Sequence, residues 1–111
     1  MTQVGALIDA LYGSDVVDGA DIARVSHSTT RSVARWRAHQ AIPKRDVEER
    51  LLELKSVLDL LSKVLREEPS RLWLRSPHPN LCFEKPIDLI AEGRYRDVIV
   101  EILAMAEGLT A

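Results

Sequence analysis

Aromatic residues are scarce: Tyr12, Trp36, Trp73, Phe83 and Tyr95 are the only ones among 111 residues. The core must therefore be built from aliphatic side chains. A single cysteine, Cys82, excludes an intramolecular disulfide and makes the cytoplasm the expected compartment. No apolar run approaches the about 18 to 20 residues of a membrane span, so no membrane partner is expected. The acidic stretch Met1 to Asp21 lacks the basic start of a secretory signal. No β-hairpin signal and no run of alternating apolar residues is found. His27, His39 and His78 are scattered, without metal-ligand spacing to Cys82 or to each other. No nucleophile elbow, HExxH, phosphate loop or dinucleotide fingerprint is present. These absences argue against an enzyme and imply neither cofactor nor metal.

What is present begins with charge. The formal net charge of −2 hides a strong segregation. Met1 to Asp21 holds four acids and no base. Ile22 to Arg45 holds six bases (Arg24, Arg31, Arg35, Arg37, Lys44, Arg45) and no acid. A basic block inside an acidic chain is either a footprint for an anionic polymer or a solvated face without a partner.

Apolar spacing then sets an all-α fold of roughly six or seven helices. Val4, Leu7, Ile8 and Leu11 form one amphipathic stripe, stopped near Gly13 and Ser14. Val16 to Arg37 reads as two helices with a short break, and Pro43 marks a boundary in Ala41 to Lys44. Val47, Leu51, Leu54, Leu58, Leu61 and Leu65 repeat at alternating spacings of four and three. This heptad seam serves either as a plain core helix or as a homodimer contact through Leu51, Leu54, Leu58, Leu61 and Leu65. Ser70 to Arg75 predicts a short helix, and Ser76 to Asn80, with two prolines, a loop. Pro86 opens a helix that Gly93 stops. Tyr95, Val98, Ile99, Ile102, Leu103 and Ala106 form the inner face of a last helix, ending at Gly108. The chain thus divides into residues 1–45, a connecting helix at 46–68 and a C-terminal unit at 69–111.

Ile22 to Trp36 fits a helix-turn-helix. Ile22, Val33 and Trp36 are its buried anchors, Ala23 the small residue at the helix crossing, and Ser28 the expected N-cap of the second helix. Ser28, Thr29, Thr30, Arg31, Ser32 and Arg35 supply short polar groups and arginines suited to phosphates and base edges of operator DNA. The turn position that usually holds glycine is His27, which must then take a positive φ.

The run Arg71-Leu-Trp-Leu-Arg-Ser-Pro-His-Pro-Asn-Leu81, with Lys85-Pro-Ile-Asp-Leu-Ile-Ala-Glu-Gly93 and Val98-Ile-Val-Glu-Ile-Leu103, resembles the toxin-binding domain of the Xre/MbcA/ParS-like antitoxins. It departs from them at Cys82-Phe83, where many members carry glycine; Cys82 is read as a small buried hydrophobe. The resemblance implies an antitoxin that binds a cognate RES-domain, NAD-degrading toxin, covers its active-site entrance, and represses its own operon. The expected partners are operator DNA, a second copy through the leucine-rich helix, and the toxin in a larger hetero-oligomer. The toxin-facing residues are then Arg75, His78, Lys85, Met105, Gly108, Leu109, Thr110 and Ala111, with Arg75, His78 and Lys85 exposed. The alternatives are a stand-alone dimeric repressor and a scaffold joined through its leucine-rich helix.

Overall fold

The computed structural model describes residues 3–110, and the side chains of residues 4–108. The helices are α1 (Gln3–Gly13), α2 (Gly19–Ser26), α3 (Thr30–Arg37), α4 (Arg45–Ser62), α5 (Glu67–Leu74), α6 (Pro86–Ala91) and α7 (Tyr95–Thr110), with a short 3₁₀ turn at Pro79–Leu81. Among the described residues there is no strand, and the fold is all-α as the spacing predicts. No described helix is long and apolar enough to cross a membrane.

The centre of the fold is α4. It packs against α1 and α2 on one side of the molecule and against α5 and α7 on the other. Leu51, Leu54, Val57, Leu58 and Leu61 are all buried. Burying an aliphatic side chain of this size is worth about 1.5–3 kcal/mol, so this helix is the largest single contributor to the core. The heptad seam is therefore used up inside its own chain. Leu51, Leu54, Leu58 and Leu61 are closed to a second copy, and Leu65 is partly buried against the same core. This corrects the expectation of a dimer contact through these residues. A helix crossed by neighbours at both ends carries the same periodicity as a coiled-coil strand.

Two local devices fix the chain direction around α2. Asp18 caps its start: the Asp21 N–H donates to the Asp18 carboxylate at 3.0 Å, and the Asp18 N–H donates to Asp21 at 3.0 Å. The Asp21 N–H holds the Asp18 carboxyl below the usual range, while burial pushes Asp21 up against the pull of the Asp18 N–H and Arg75. Gly19 permits the close approach behind this cap, since a Cβ there would lie 2.7 Å from the Tyr12 hydroxyl. At the other end His27 adopts φ 57°, the positive value its place in the turn requires.

Two helix ends differ from the sequence expectation. α5 begins at Glu67, three residues earlier than expected, with Pro69 in its first turn where no N–H is needed. α7 runs past Gly108 to Thr110. Leu103, placed on the inner face by spacing, is exposed, whereas Val98 and Ile102 are fully buried. The inner stripe of α7 is narrower than its apolar composition suggests. Gly93 does stop α6: its φ is +85°, and the Arg94 N–H donates to the Leu89 carbonyl at 2.8 Å.

Leu54 and Leu52 lie two residues apart on α4, but Leu54 is 0% exposed and Leu52 48%. Leu54→Ala should lower the unfolding free energy by about 2–5 kcal/mol, and Leu52→Ala by well under about 1 kcal/mol. Urea titrations of the two variants check this.

Candidate functional site

Two surfaces carry the residues singled out by sequence. The first is the helix-turn-helix face. Ile22, Ala23, Val33 and Trp36 are all buried, as the motif requires. The N-cap of α3 is Thr29, one residue later than expected: its Oγ1 accepts from the Ser32 N–H at 3.0 Å. Ser28 is occupied in closing α2, its N–H donating to the Ala23 carbonyl at 2.9 Å across the left-handed His27. Thr29, Thr30, Arg31 and Arg35 are exposed, and Ser28 and Ser32 are half-buried. Neither Arg31 nor Arg35 pairs with an acid among the described residues. The other bases of the block are less free. Arg24 pairs with Asp88 of α6 at 2.6 Å, Arg45 approaches Glu49 at 3.7 Å, and Arg37 stacks over the Tyr12 ring at 3.8 Å.

The second surface is the C-terminal unit. Arg75 faces inward. Its guanidinium donates to the Asp21 carboxylate, to the Val16 carbonyl at 3.2 Å and to the Arg71 carbonyl at 3.0 Å. Arg71 donates to the Asp15 carbonyl. Together they clasp α5 to the loop between α1 and α2. The trough beside this clasp, about 610 Å³, is open and lined by both signs of charge, including Asp9, Asp18, Arg37 and Arg71. His78 is half-buried. Its Nε2–H donates to the Trp73 carbonyl at 2.9 Å, and the two rings lie 4.8 Å apart. Arg75 and His78 were expected to be exposed contacts; both are positioning groups for the fold. Burial leaves each of them bonded to partners distant in sequence or hidden under a ring, which composition does not reveal.

Lys85 is exposed at the start of α6. Met105 packs against the core, and Gly108 is exposed. Only the helical backbone is described for Leu109 and Thr110, and Ala111 lies outside the described residues.

The loop between α5 and α6 holds a second correction. Cys82 is exposed, with φ 55°, and Phe83 follows with φ 63° and 72% exposure. Two successive left-handed residues turn the chain back, so that the Phe83 N–H donates to the His78 carbonyl at 2.9 Å and the His78 N–H to the Glu84 carbonyl at 3.3 Å. The turn faces both side chains outward, which is why a small hydrophobe here is not in the core. Glycine adopts this backbone without the Cβ penalty.

His27 is the functional-looking residue whose role spacing alone misses. Its Nε2–H donates to the Ala91 carbonyl at 2.6 Å, and its Nδ1 accepts from Arg50 at 2.7 Å. One ring thus joins α2, α4 and α6. Among the described residues no group of three His, Cys, Asp or Glu side chains is placed to hold a metal ion.

An all-α chain with a helix-turn-helix packed directly on a small C-terminal helical unit has the architecture of a regulatory binding protein. No family model matches it. It is 40% identical to the mycobacterial cidal antitoxin MbcA of Mycobacterium tuberculosis over 89 residues, covering 80% of this chain and 79% of that one. The MbcA of Mycobacterium bovis is equally similar. A probable mycobacterial cidal antitoxin of M. tuberculosis, Rv3188, is 32% identical over 96 residues, 86% of this chain and 81% of that one. The crystal structure of the M. tuberculosis MbcT–MbcA toxin–antitoxin complex contains a chain that superposes with a TM-score of 0.85 at 33% identity, over 97% of each chain. The protein belongs to the MbcA family of antitoxins.

A left-handed non-glycine residue costs about 1–2 kcal/mol, part of which glycine returns as unfolded-state entropy. Cys82→Gly should therefore raise stability by up to about 1 kcal/mol, read as a higher urea midpoint at unchanged slope.

Proposed function

We propose that this protein neutralises a toxin by inserting or apposing the C-terminal end of α7 at the toxin's active-site entrance, performing no reaction itself. The observation that carries this is the length of α7. Among the described side chains Met105 is the last one packed against the core, yet the helix continues to Thr110. A helical end that the core does not need is a preformed probe, and preformed elements lose little entropy on binding. Lys85, exposed at the foot of α6, supplies a second contact at the rim. We read the target as a RES-domain, NAD-degrading toxin, the partner that the family resemblance implies, and a relative solved together with a toxin supports a toxin as partner. The single cysteine, exposed and unpaired, fits a cytoplasmic site of action.

Deleting residues 109–111 should abolish protection of cells expressing the cognate toxin and restore NAD loss, while the helical circular dichroism stays unchanged. Equal protection by the truncated and intact chains would overturn occlusion by this end.

Autorepression is the second part of the reading, favoured by the exposed and unpaired Arg31 and Arg35 beside Thr29 and Thr30 at the start of α3. An eight-residue recognition helix reads a short half-site, so repression calls for two copies on a paired operator. The triple replacement of Thr30, Arg31 and Arg35 by alanine should abolish a specific mobility shift. The double replacement of Arg31 and Arg35 should reduce the salt slope by about 2. An unaltered shift would remove α3 as the reading helix.

A further inference from the structure

The polar groups around α3 divide into those that hold the helix and those left free. Thr29 is committed to the cap: its Oγ1 accepts from the Ser32 N–H at 3.0 Å, and its hydroxyl donates to that of Ser32 at 3.1 Å. Ser28 and Ser32 are half-buried. Val33 and Trp36 are buried, and Arg37 turns away to stack over the Tyr12 ring at 3.8 Å. Left free on the exposed side are the Thr30 hydroxyl and the guanidinium groups of Arg31 and Arg35. At about 100° per residue, Thr30, Ala34, Arg31 and Arg35 follow one another across an arc of about 140°. Ala34, also exposed, lies between Thr30 and the arginines, and its single methyl lets a facing surface come close.

We propose that α3 reads guanine: Arg31 and Arg35 each take one guanine in the major groove, the two bases lying about two steps apart on one strand. This rests on α3 being the helix that meets operator DNA, and it names the bases that helix selects. A guanidinium presents parallel N–H donors in a fixed fork. Guanine offers two acceptors, O6 and N7, on its major-groove edge, whereas adenine sets an acceptor beside a donor and cytosine offers a donor. The side chains that suit adenine are Asn and Gln, and those that suit cytosine are Asp and Glu; the sequence of α3, TRSVARWR, contains none of the four. Both arginines are available for the task. Neither pairs with an acid among the described residues, and no acid occurs between Ile22 and Arg45.

The spacing of the bases follows from the helix. Arg31 and Arg35 stand about one turn apart, or about 6 Å along the axis. Stacked bases on one strand are about 3.4 Å apart, so two steps match the rise and one step falls short of it. A guanidinium seated in the groove displaces counterions whether it bonds a base or a phosphate. The salt slope therefore counts the two charges, and base replacement identifies what they read.

Selection of tight-binding duplexes from a randomised pool by the full chain tests the assignment. The enriched sequences should share two guanines about two steps apart on one strand. Replacing either by 7-deazaguanine, which keeps Watson–Crick pairing but removes the N7 acceptor, should weaken binding about ten-fold or more. Arg31→Ala should abolish the effect of that replacement at one guanine and Arg35→Ala at the other, each variant staying sensitive at the remaining base. Both side chains are exposed and unpaired, so the exchanges leave the core as it is. Enriched sites without the guanine pair, or a 7-deazaguanine penalty that survives both exchanges, would overturn the assignment while α3 remains a DNA reader. A pool without enrichment and without any salt-sensitive shift would instead remove α3 as the reading helix, and the assignment with it.

Discussion

Everything in this chain is arranged around the apolar side of α4. Of the five aromatic residues in 111 only Trp36 is buried, and the rest of the core depends on closely packed aliphatic side chains. α4 supplies five of them and, among the described elements, is the one that packs against α1, α2, α5 and α7 alike. That geometry consumes its seam. Any surface offered to another molecule must come from residues outside that seam, such as the exposed side of α3 or the loop after α5.

The polar ties act on α2 and make the two ends of the molecule one body. At its start Asp21 receives Arg75 from α5. Midway Arg24 meets Asp88 of α6. At its end the His27 ring spans the Ala91 carbonyl and Arg50. The two ion pairs are partly exposed, and such pairs contribute little to stability. Their effect is on orientation: three contacts spaced along eight residues fix α2 in both position and rotation. Since α3 follows α2 after a short turn, its exposed arginines are held in a set relation to α6 and hence to the start of α7. The neutral imidazole is what makes the His27 tie possible, because one nitrogen must donate while the other accepts.

Much of this was legible in the sequence. The helix-turn-helix anchors, the stop at Gly93 and the boundary at Pro43 follow from local rules, and the structure shows each where those rules put it. What was not legible is of three kinds. The heptad of α4 gives the period of burial but not its direction, because a core helix gripped on two sides and a dimer strand share one pattern. Arg75 looked available because its partner Asp21 is a matter of tertiary position, and His78 because the loop that folds its ring back onto the Trp73 carbonyl has no sequence signature. Cys82 looked buried because its residue type is commonly so, whereas its backbone conformation turns it outward. The N-cap of α3 moved by one residue for a local reason that was visible in principle: a left-handed His27 commits the Ser28 N–H to closing α2, so the next residue, Thr29, must cap.

The loop that presents Cys82 and Phe83 illustrates how strain and exposure go together. Two consecutive residues held at positive φ cost more than glycines in the same place, and an exposed phenylalanine gains nothing from the core in return. The turn is nonetheless held from several directions: by Pro77 and Pro79, by the His78 bond to Trp73, and by backbone bonds closing from Phe83 and Glu84 onto His78 and Leu81. Such over-determination is what allows a strained backbone to persist. Its product is an apolar tip held outward in one conformation, with Cys82 beside Val100 of α7 in a shallow hollow.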